Sequence, residues 1–352
     1  MPGQWVRRLA ACFLAAALAT GATQAARAQE QLSVTIAQGG EGLGWLPAYI
    51  ARANKYFDDE HLAVRFVITP GGSEAAAAVV SGSADFADAA HHAFRGQLKG
   101  YDFVLVADAM DQYGVMLVVS ESAMQKAGLK KGDPIAKVIP AMKGLRIGIT
   151  SPGSSTDMII RALFKQYGLN PDRDATLTPF GTGGPMQAAL ETDQTDAFIF
   201  SSPFPELVEA SGHGEILINL AKGDLRQLSG YPYTGYFTSR KVITEKPKAV
   251  QAFVNAIYKA ELFIHAYPEE TIKIAQTTFS DLDPQVLRMS VINTIPAIPQ
   301  DPIISKVQIE TALDWLEYKP EDRAKLTYEK VVDNSFAINA INTIGTVPQP
   351  LH

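Results

Sequence analysis

Residues 150–163, T-S-P-G-S-S-T-D-M-I-I-R-A-L, place a glycine, several hydroxyls and an aspartate in front of an apolar helical pattern. The stretch looks like a phosphate-cradling loop but has neither the lysine nor the glycine spacing that such a loop uses. What remains is a helix start rich in donors. The first turn of a helix exposes unpaired N–H groups and carries partial positive charge, so it can receive an anion without a basic side chain. Ser154 and Asp157 have the spacing of a capping pair. Ser154 can therefore act as the N-cap, while Ser155 and Thr156 offer a hydroxyl or a backbone N–H to a ligand. Gly71-Gly72-Ser73 opens a second helical pattern in the same way.

Other side chains invite weaker readings. Trp45 follows a loop containing Gly39, Gly40, Gly42 and Gly44, where an aromatic is expected to line a pocket. Glu41 in that loop can bind a cation or simply be solvated. His91 and His92 follow a short strand; neighbouring histidines point in different directions, so one of them can touch a ligand but both cannot easily hold one metal. Of Tyr231, Tyr233 and Tyr236, Tyr236 is expected to border a cleft. No G-x-S-x-G, G-x-x-x-x-G-K or H-E-x-x-H pattern occurs, and the six histidines show no zinc-like pairing. No catalytic residue, metal ligand or cofactor site is expected.

Strand and helix patterns alternate to position these loops. Strands are expected at 32–37, 63–68 and 84–87, with glycine loops and helical patterns between them, the first helix running over 46–57. The order repeats from 145: a strand at 145–149, the hydroxyl loop, a helix over 158–167, a strand at 175–178, a glycine turn at 181–184, a helix, and a strand at 196–200. Two α/β lobes explain the repetition, and four loops, two from each lobe, can converge beyond the carboxyl ends of the strands. Two aromatic–glycine stretches, at 113–120 and 231–236, read as hinge crossings. They divide the chain into a first lobe of 32–112 and 237–352 and a second lobe of 121–230. The helical patterns after 247 are expected to return to the first lobe. Residues 128–143, with two glycines and two prolines, read as a surface connection.

The amino terminus has a different purpose. Arg7 and Arg8, an apolar run from Leu9 to Leu18 and Ala26-Arg27-Ala28 have the order of a cleaved secretory signal peptide over residues 1–28. Cys12 sits too close behind the arginines for a lipoprotein site. It is the only cysteine, so the exported chain has no disulfide or thiolate chemistry. Removing Arg7, Arg8 and Arg27 leaves 28 basic and 37 acidic residues, a net charge of −9. Such a surface repels nucleic acid. A soluble, monomeric periplasmic protein is expected.

W-L-P-A-Y-I-A-R-A-N-K-Y-F (45–57), P-G-G-S (70–73), G-S-A-D-F (82–86), K-G-L-R-I-G-I-T-S-P-G-S-S-T (143–156) and T-D-A-F-I-F-S-S-P-F (195–204), in this order, resemble the periplasmic solute-binding proteins for nitrate, sulfonates, taurine and thiamine-pyrimidine precursors. The resemblance spans residues 32 to about 267. It implies an α/β, two-lobed type II periplasmic-binding-protein fold that delivers its ligand to an inner-membrane ABC permease. It also implies ligand-lining roles for Gly44, Trp45, Gly72, Ser73, Ala90, His91, Ser154, Ser155, Thr156, Ser201 and Ser202. Where members of the family carry a bulky or acidic pair, Ser201-Ser202 implies a roomier, uncharged wall. A small organic solute, sulfonate- or carboxylate-like, is the expected ligand. Two alternatives stand beside import: an enzyme on the same scaffold related to thiamine-pyrimidine synthesis, disfavoured by the export signal and the lack of a lysine near the cleft, and a protein presenting its ligand to a sensor.

Overall fold

In the computed structural model, which describes residues 31–345 and 349, ten strands form two five-stranded sheets. The expected signal peptide lies outside these residues. The strands are β1 (Leu32–Gln38), β2 (Leu62–Ile68), β3 (Phe86–Ala87), β4 (Phe103–Asp108), β5 (Met116–Ser120), β6 (Arg146–Ile149), β7 (Thr176–Pro179), β8 (Ala197–Phe200), β9 (Gly214–Asn219) and β10 (Gly235–Ser239). The first sheet has the order β2-β1-β3-β10-β4 and the second β7-β6-β8-β5-β9. The two orders correspond strand for strand, which is the structural form of the repeat read in the sequence.

In each sheet one strand runs against the other four: β10 in the first and β5 in the second. These are the two strands that the chain enters on arriving from the other sheet. Reversal lets a crossing leave and enter at the same edge, so the link from β4 to β5 needs only residues 109–115. That edge is the carboxyl end of the parallel strands, where open α/β sheets bind ligands. The crossings differ from those expected. Met116–Ser120, placed in the first crossing by its aromatic–glycine start, is a strand buried at every position. The return crossing runs from 220 to 234 and contains two short helical turns, Leu220–Lys222 and Arg226–Leu228.

Helices cover the sheets and supply the core. Pro247 and Pro268 each open a helix, Pro247–Ala266 and Pro268–Thr278, at the one helical position that tolerates proline well. The longer helix lies against β1, β2 and the helix Leu46–Ala53, so this C-terminal stretch returns to the first sheet. Phe253 on it stacks on Phe86 of β3, with ring centroids 4.5 Å apart. The first helix is shorter than its apolar pattern: it stops at Ala53, and Lys55, at φ 58, leads into a separate turn, Tyr56–Asp59. The stretch 128–143 is no mere surface connection either. It contains the helix Ile135–Ala141 despite Pro140, because Val138 and Ile139, with Met142 just beyond, are fully buried in the core and repay the broken turn.

Candidate functional site

Loops at the carboxyl edges of both sheets enclose a cavity of about 40 Å³. Gly39, Gly40 and Glu41 after β1, Gly72 after β2 and Asp88 after β3 line it from the first sheet. Thr150 and Ser154–Thr156 after β6, with Phe200 and Ser201 at the end of β8, line it from the second. Gly44, Trp45, Tyr233 and Thr234 complete the wall.

The hydroxyl loop is built as its sequence suggested, with one refinement. Ser154 is the N-cap of the helix Ser155–Gln166, and its Oγ accepts the Asp157 N–H at 3.4 Å. Asp157 answers one residue further back, accepting the Gly153 N–H at 2.7 Å. The Thr156 hydroxyl is occupied inside the loop. It accepts the Thr150 N–H at 2.9 Å and lies 3.0 Å from the Thr150 hydroxyl and 2.9 Å from that of Ser154. Among the described residues, the N–H groups of Ser155 and Thr156 donate to no protein acceptor. Thus the Ser154 and Thr156 hydroxyls hold the loop, while the Ser155 and Thr156 N–H groups stay unpaired in residues that line the cavity. The helix Gly72–Ser81 presents its first turn from the opposite sheet, with no side-chain cap.

The glycines allow this convergence. A Cβ on Gly39 would fall 2.7 Å from the Cα of Gly72, and one on Gly71 would fall 2.3 Å from the Oγ of Ser151 on the other lobe. The lobes touch on both flanks of the cavity. On one flank the Ser73 hydroxyl donates to the Pro152 carbonyl at 3.0 Å, Arg95 Nη1 to the Gly153 carbonyl at 2.9 Å, and the Ser151 hydroxyl to Glu74 at 2.9 Å. On the other, the Leu43 N–H donates to the Ser202 carbonyl at 2.7 Å.

Of the twelve residues expected to line or border a ligand site, seven line the cavity: Gly44, Trp45, Gly72, Ser154, Ser155, Thr156 and Ser201. Five do not. Ser73 serves the contact between lobes. Ala90 is fully buried at the start of its helix. His91 is buried, its ring 3.9 Å from that of His92, and both Nε2 atoms lack partners. Burial, then electrostatic repulsion against His92 and Arg95, hold His91 well below the usual imidazole range; burial, then Arg95 and Lys99, bring His92 to about 3. Neither ring carries charge at neutral pH. Ser202 turns its hydroxyl to Glu206 at 2.6 Å. Tyr236 lies in the core behind Trp45, with ring centroids 5.7 Å apart, so it supports the cavity wall through that side chain.

Two further expectations are corrected. Ser201 and Ser202 do not widen the wall, because the glycine loop advances into the space: a Cβ on Gly42 would lie 2.8 Å from Ser201 Oγ. The glycine turn at 181–184 does not reach the cavity. Phe204 covers Gly183, where a Cβ would stand 2.2 Å from its ring, and Phe200–Ser201 takes the fourth place.

Asp88 carries the main surprise. It stands just past the carboxyl end of β3, and Ala89 after it is held at φ 77, a conformation that L residues rarely adopt. The residue is partly open to the cavity, yet Oδ1 is sealed from solvent and has no hydrogen-bond partner. Burial pushes the carboxyl up to about 7, against the N–H groups of Asp88 itself and Gly39, which favour its charged form. With Glu41, whose side chain is exposed, it makes the charged lining acidic; among the lining residues there is no Lys, Arg or His.

The sequence matches the NMT1-like family over residues 28–279. The chain belongs to the NMT1-like family. A Bacillus subtilis (strain 168) protein, YtlA, described as a binding protein, is 21% identical over 351 residues, covering 95% of this chain and 97% of its own. The 4-amino-5-hydroxymethyl-2-methylpyrimidine phosphate synthase of Candida albicans (strain WO-1) is 23% identical over 232 residues, covering 64% and 65%. Among solved structures, a Bordetella bronchiseptica RB50 protein superimposes with a TM-score of 0.81 at 28% identity, over 90% of this chain and 99% of its own. The periplasmic nitrate-binding protein NrtA of Synechocystis PCC 6803 gives 0.68 at 15% identity, over 91% and 90%. This NMT1-like chain therefore has the two-lobed periplasmic-binding-protein fold. No helix among its described residues is long and apolar enough to cross a membrane.

Proposed function

We propose that this NMT1-like protein is the extracytoplasmic substrate-binding component of an ABC importer, capturing one small organic solute between its lobes without transforming it. The observation that carries this reading is the cavity itself: loops of both sheets line it, among them a helix start whose first N–H groups are unpaired. The nitrate-binding neighbour and the binding-protein description of YtlA support it. The helix start at Ser155 and Thr156 would take an anionic group, and the two crossings, 109–115 and 220–234, would form the hinge. The mature protein, freed of residues 1–28, is expected to work as a periplasmic monomer that meets its permease in the inner membrane.

The test is mass spectrometry of whatever co-purifies with the mature protein from the periplasm, followed by small-angle scattering with and without that solute. A bound solute and a more compact liganded form are expected. A solute recovered chemically altered after incubation with pure protein would replace this reading with the enzymatic one.

A further inference from the structure

Outside the inter-lobe cavity, the flank where Ser73 and Arg95 reach across the seam carries a groove of about 420 Å³. One part of it is cationic. Arg95 lies on the helix Ala90–Leu98 and Lys99 follows that helix directly, four residues on, so the two side chains share a face. Both are exposed, and among the described residues neither forms an ion pair, in a chain with more acidic than basic residues. Arg95 Nη1 meets the Gly153 carbonyl at 2.9 Å and Met158 Sδ at 3.8 Å, which leaves Nε and Nη2 uncommitted.

The other part is apolar and wet. Tyr101 stacks on Phe103 of β4 with ring centroids 5.6 Å apart, yet it keeps 41% of its surface exposed, and Val80 keeps 42%. Phe103 can lie against the helix because residue 96 is glycine: a Cβ there would fall 2.2 Å from its ring. The second lobe closes the groove with Gly153, at φ 79, where a Cβ would stand 3.1 Å from Arg95 Nη1. Uncommitted cations favour an anionic group, and an exposed ring beside a valine favours an apolar body carried by that anion.

We propose that this groove is a second ligand site, for a small aromatic carboxylate, with the carboxylate on Arg95 and Lys99 and the ring against Tyr101 and Val80. Because Gly153 belongs to the second lobe, the groove is complete only where the lobes meet, so its occupant binds the closed form better than the open one and favours closure. The site does not depend on what the inter-lobe cavity holds; only its coupling to closure rests on the binding-protein reading.

The experiment is calorimetry on the mature protein with phenylacetate, phenylacetamide and acetate. Phenylacetate is expected to bind about tenfold or more tightly than either of the others, since the amide lacks the charge and acetate lacks the ring. Lys99→Gln alters an exposed side chain outside the cavity; it should weaken phenylacetate by about tenfold and leave Tm at the parent's value. Ser155→Pro, which alters the cavity, should bind phenylacetate like the parent. Small-angle scattering at saturating phenylacetate should show compaction of the parent and none of Lys99→Gln. Equal binding of phenylacetamide or acetate, an affinity that Lys99→Gln does not change, an affinity lost in Ser155→Pro, or no binding of phenylacetate overturns the site. Phenylacetate that binds through Lys99 without compaction overturns the coupling alone. A mature protein from which no solute co-purifies weakens the importer reading and leaves these phenylacetate affinities as the separate test of the groove.

Discussion

Ser155→Pro tests the donor side of the cavity with little cost to the fold. Ser155 is the first residue of a twelve-residue helix, the position where proline's missing N–H and fixed φ do least harm. Ser154 before it sits at φ −71 and ψ 172, the extended geometry that a residue preceding proline prefers. The Ser155 carbonyl, which accepts the Tyr113 hydroxyl at 2.7 Å, is untouched. Stability should therefore hold or rise, by about 0.4–1 kcal/mol through the stiffer unfolded chain. Binding should suffer, because the substitution deletes one of the two unpaired N–H groups of the residues lining the cavity. A hydrogen bond to a charged group contributes about 1.5–3 kcal/mol, and about 1.4 kcal/mol is a factor of ten. The expected loss is roughly 10- to 150-fold in Kd. Ser155→Ala is the control: it removes the hydroxyl, keeps the N–H, and should bind within about threefold of the parent. Calorimetry with the co-purifying solute reads both, and a thermal melt confirms the fold. If the proline variant binds like the parent, or the alanine variant loses as much, the helix start is a cap and nothing more.

Gly71→Ala tests closure: at φ 165 the backbone accepts alanine, but the new Cβ would lie 2.3 Å from Ser151 Oγ across the seam, so a weaker Kd by about tenfold and a larger liganded radius in scattering are expected; an unchanged radius would place the contact elsewhere. Thr156→Val removes a hydroxyl that holds Thr150 and Ser154, and should cost about 1–3 kcal/mol of stability, read as a lower Tm; a Tm equal to the parent's would show that the loop stands without it. Asp108, buried and accepting Gln308 Nε2 at 2.7 Å, is raised to about 7 by burial first and by Asp111 second. A carboxyl raised in the fold contributes stability that is complete below its unfolded value of about 3.9 and is lost as pH rises through about 7. Asp108→Asn should flatten the fall in Tm between pH 5 and 8, and an equal slope in calorimetry would refute the assignment of that fall to Asp108.

The two-lobe architecture was legible because its period is carried by many residues: alternating strands, glycine loops and helix starts occur twice in the same order. The helix start at 154–157 was legible for a local reason, since capping chemistry needs only residues three apart. Asp88 was not. It follows Asp85 by three positions, and composition cannot separate them, although their work differs. Asp85 lies before the strand, where its carboxylate accepts the Thr35 N–H at 2.8 Å and pairs with Lys246 at 2.7 Å. Asp88 lies past the strand's carboxyl end, and only knowing where β3 stops reveals that it meets the cavity; that end position was the signal available. Tyr236 was misplaced for a related reason. In a strand, neighbours face opposite sides, so a small error in where β10 begins moves a side chain from cavity to core. β10 begins at Gly235, which leaves Tyr233 and Thr234 on the wall.

Specificity and closure draw on the same groups. The seam between the lobes is held by side chain-to-backbone bonds from Ser73 and Arg95, by the backbone bond from Leu43 to Ser202, and by Ser151 with Glu74. The two neutral bonds contribute about 0.5–1.5 kcal/mol net each and the two that involve Arg95 or Glu74 about 1.5–3 kcal/mol, because water replaces them when the lobes part. Closing without a solute would also leave the Ser155 and Thr156 N–H groups and Asp88 Oδ1 without partners, at about 1–3 kcal/mol for each unsatisfied group. These opposing sums are of similar size, so the seam alone gives the closed form little advantage. A ligand can shift such an equilibrium only by its differential affinity for the two forms. A solute that meets the unpaired Ser155 and Thr156 N–H groups would supply that difference. Discrimination between solutes would then be exercised in the closing step, by the cost of the groups that the wrong solute fails to meet.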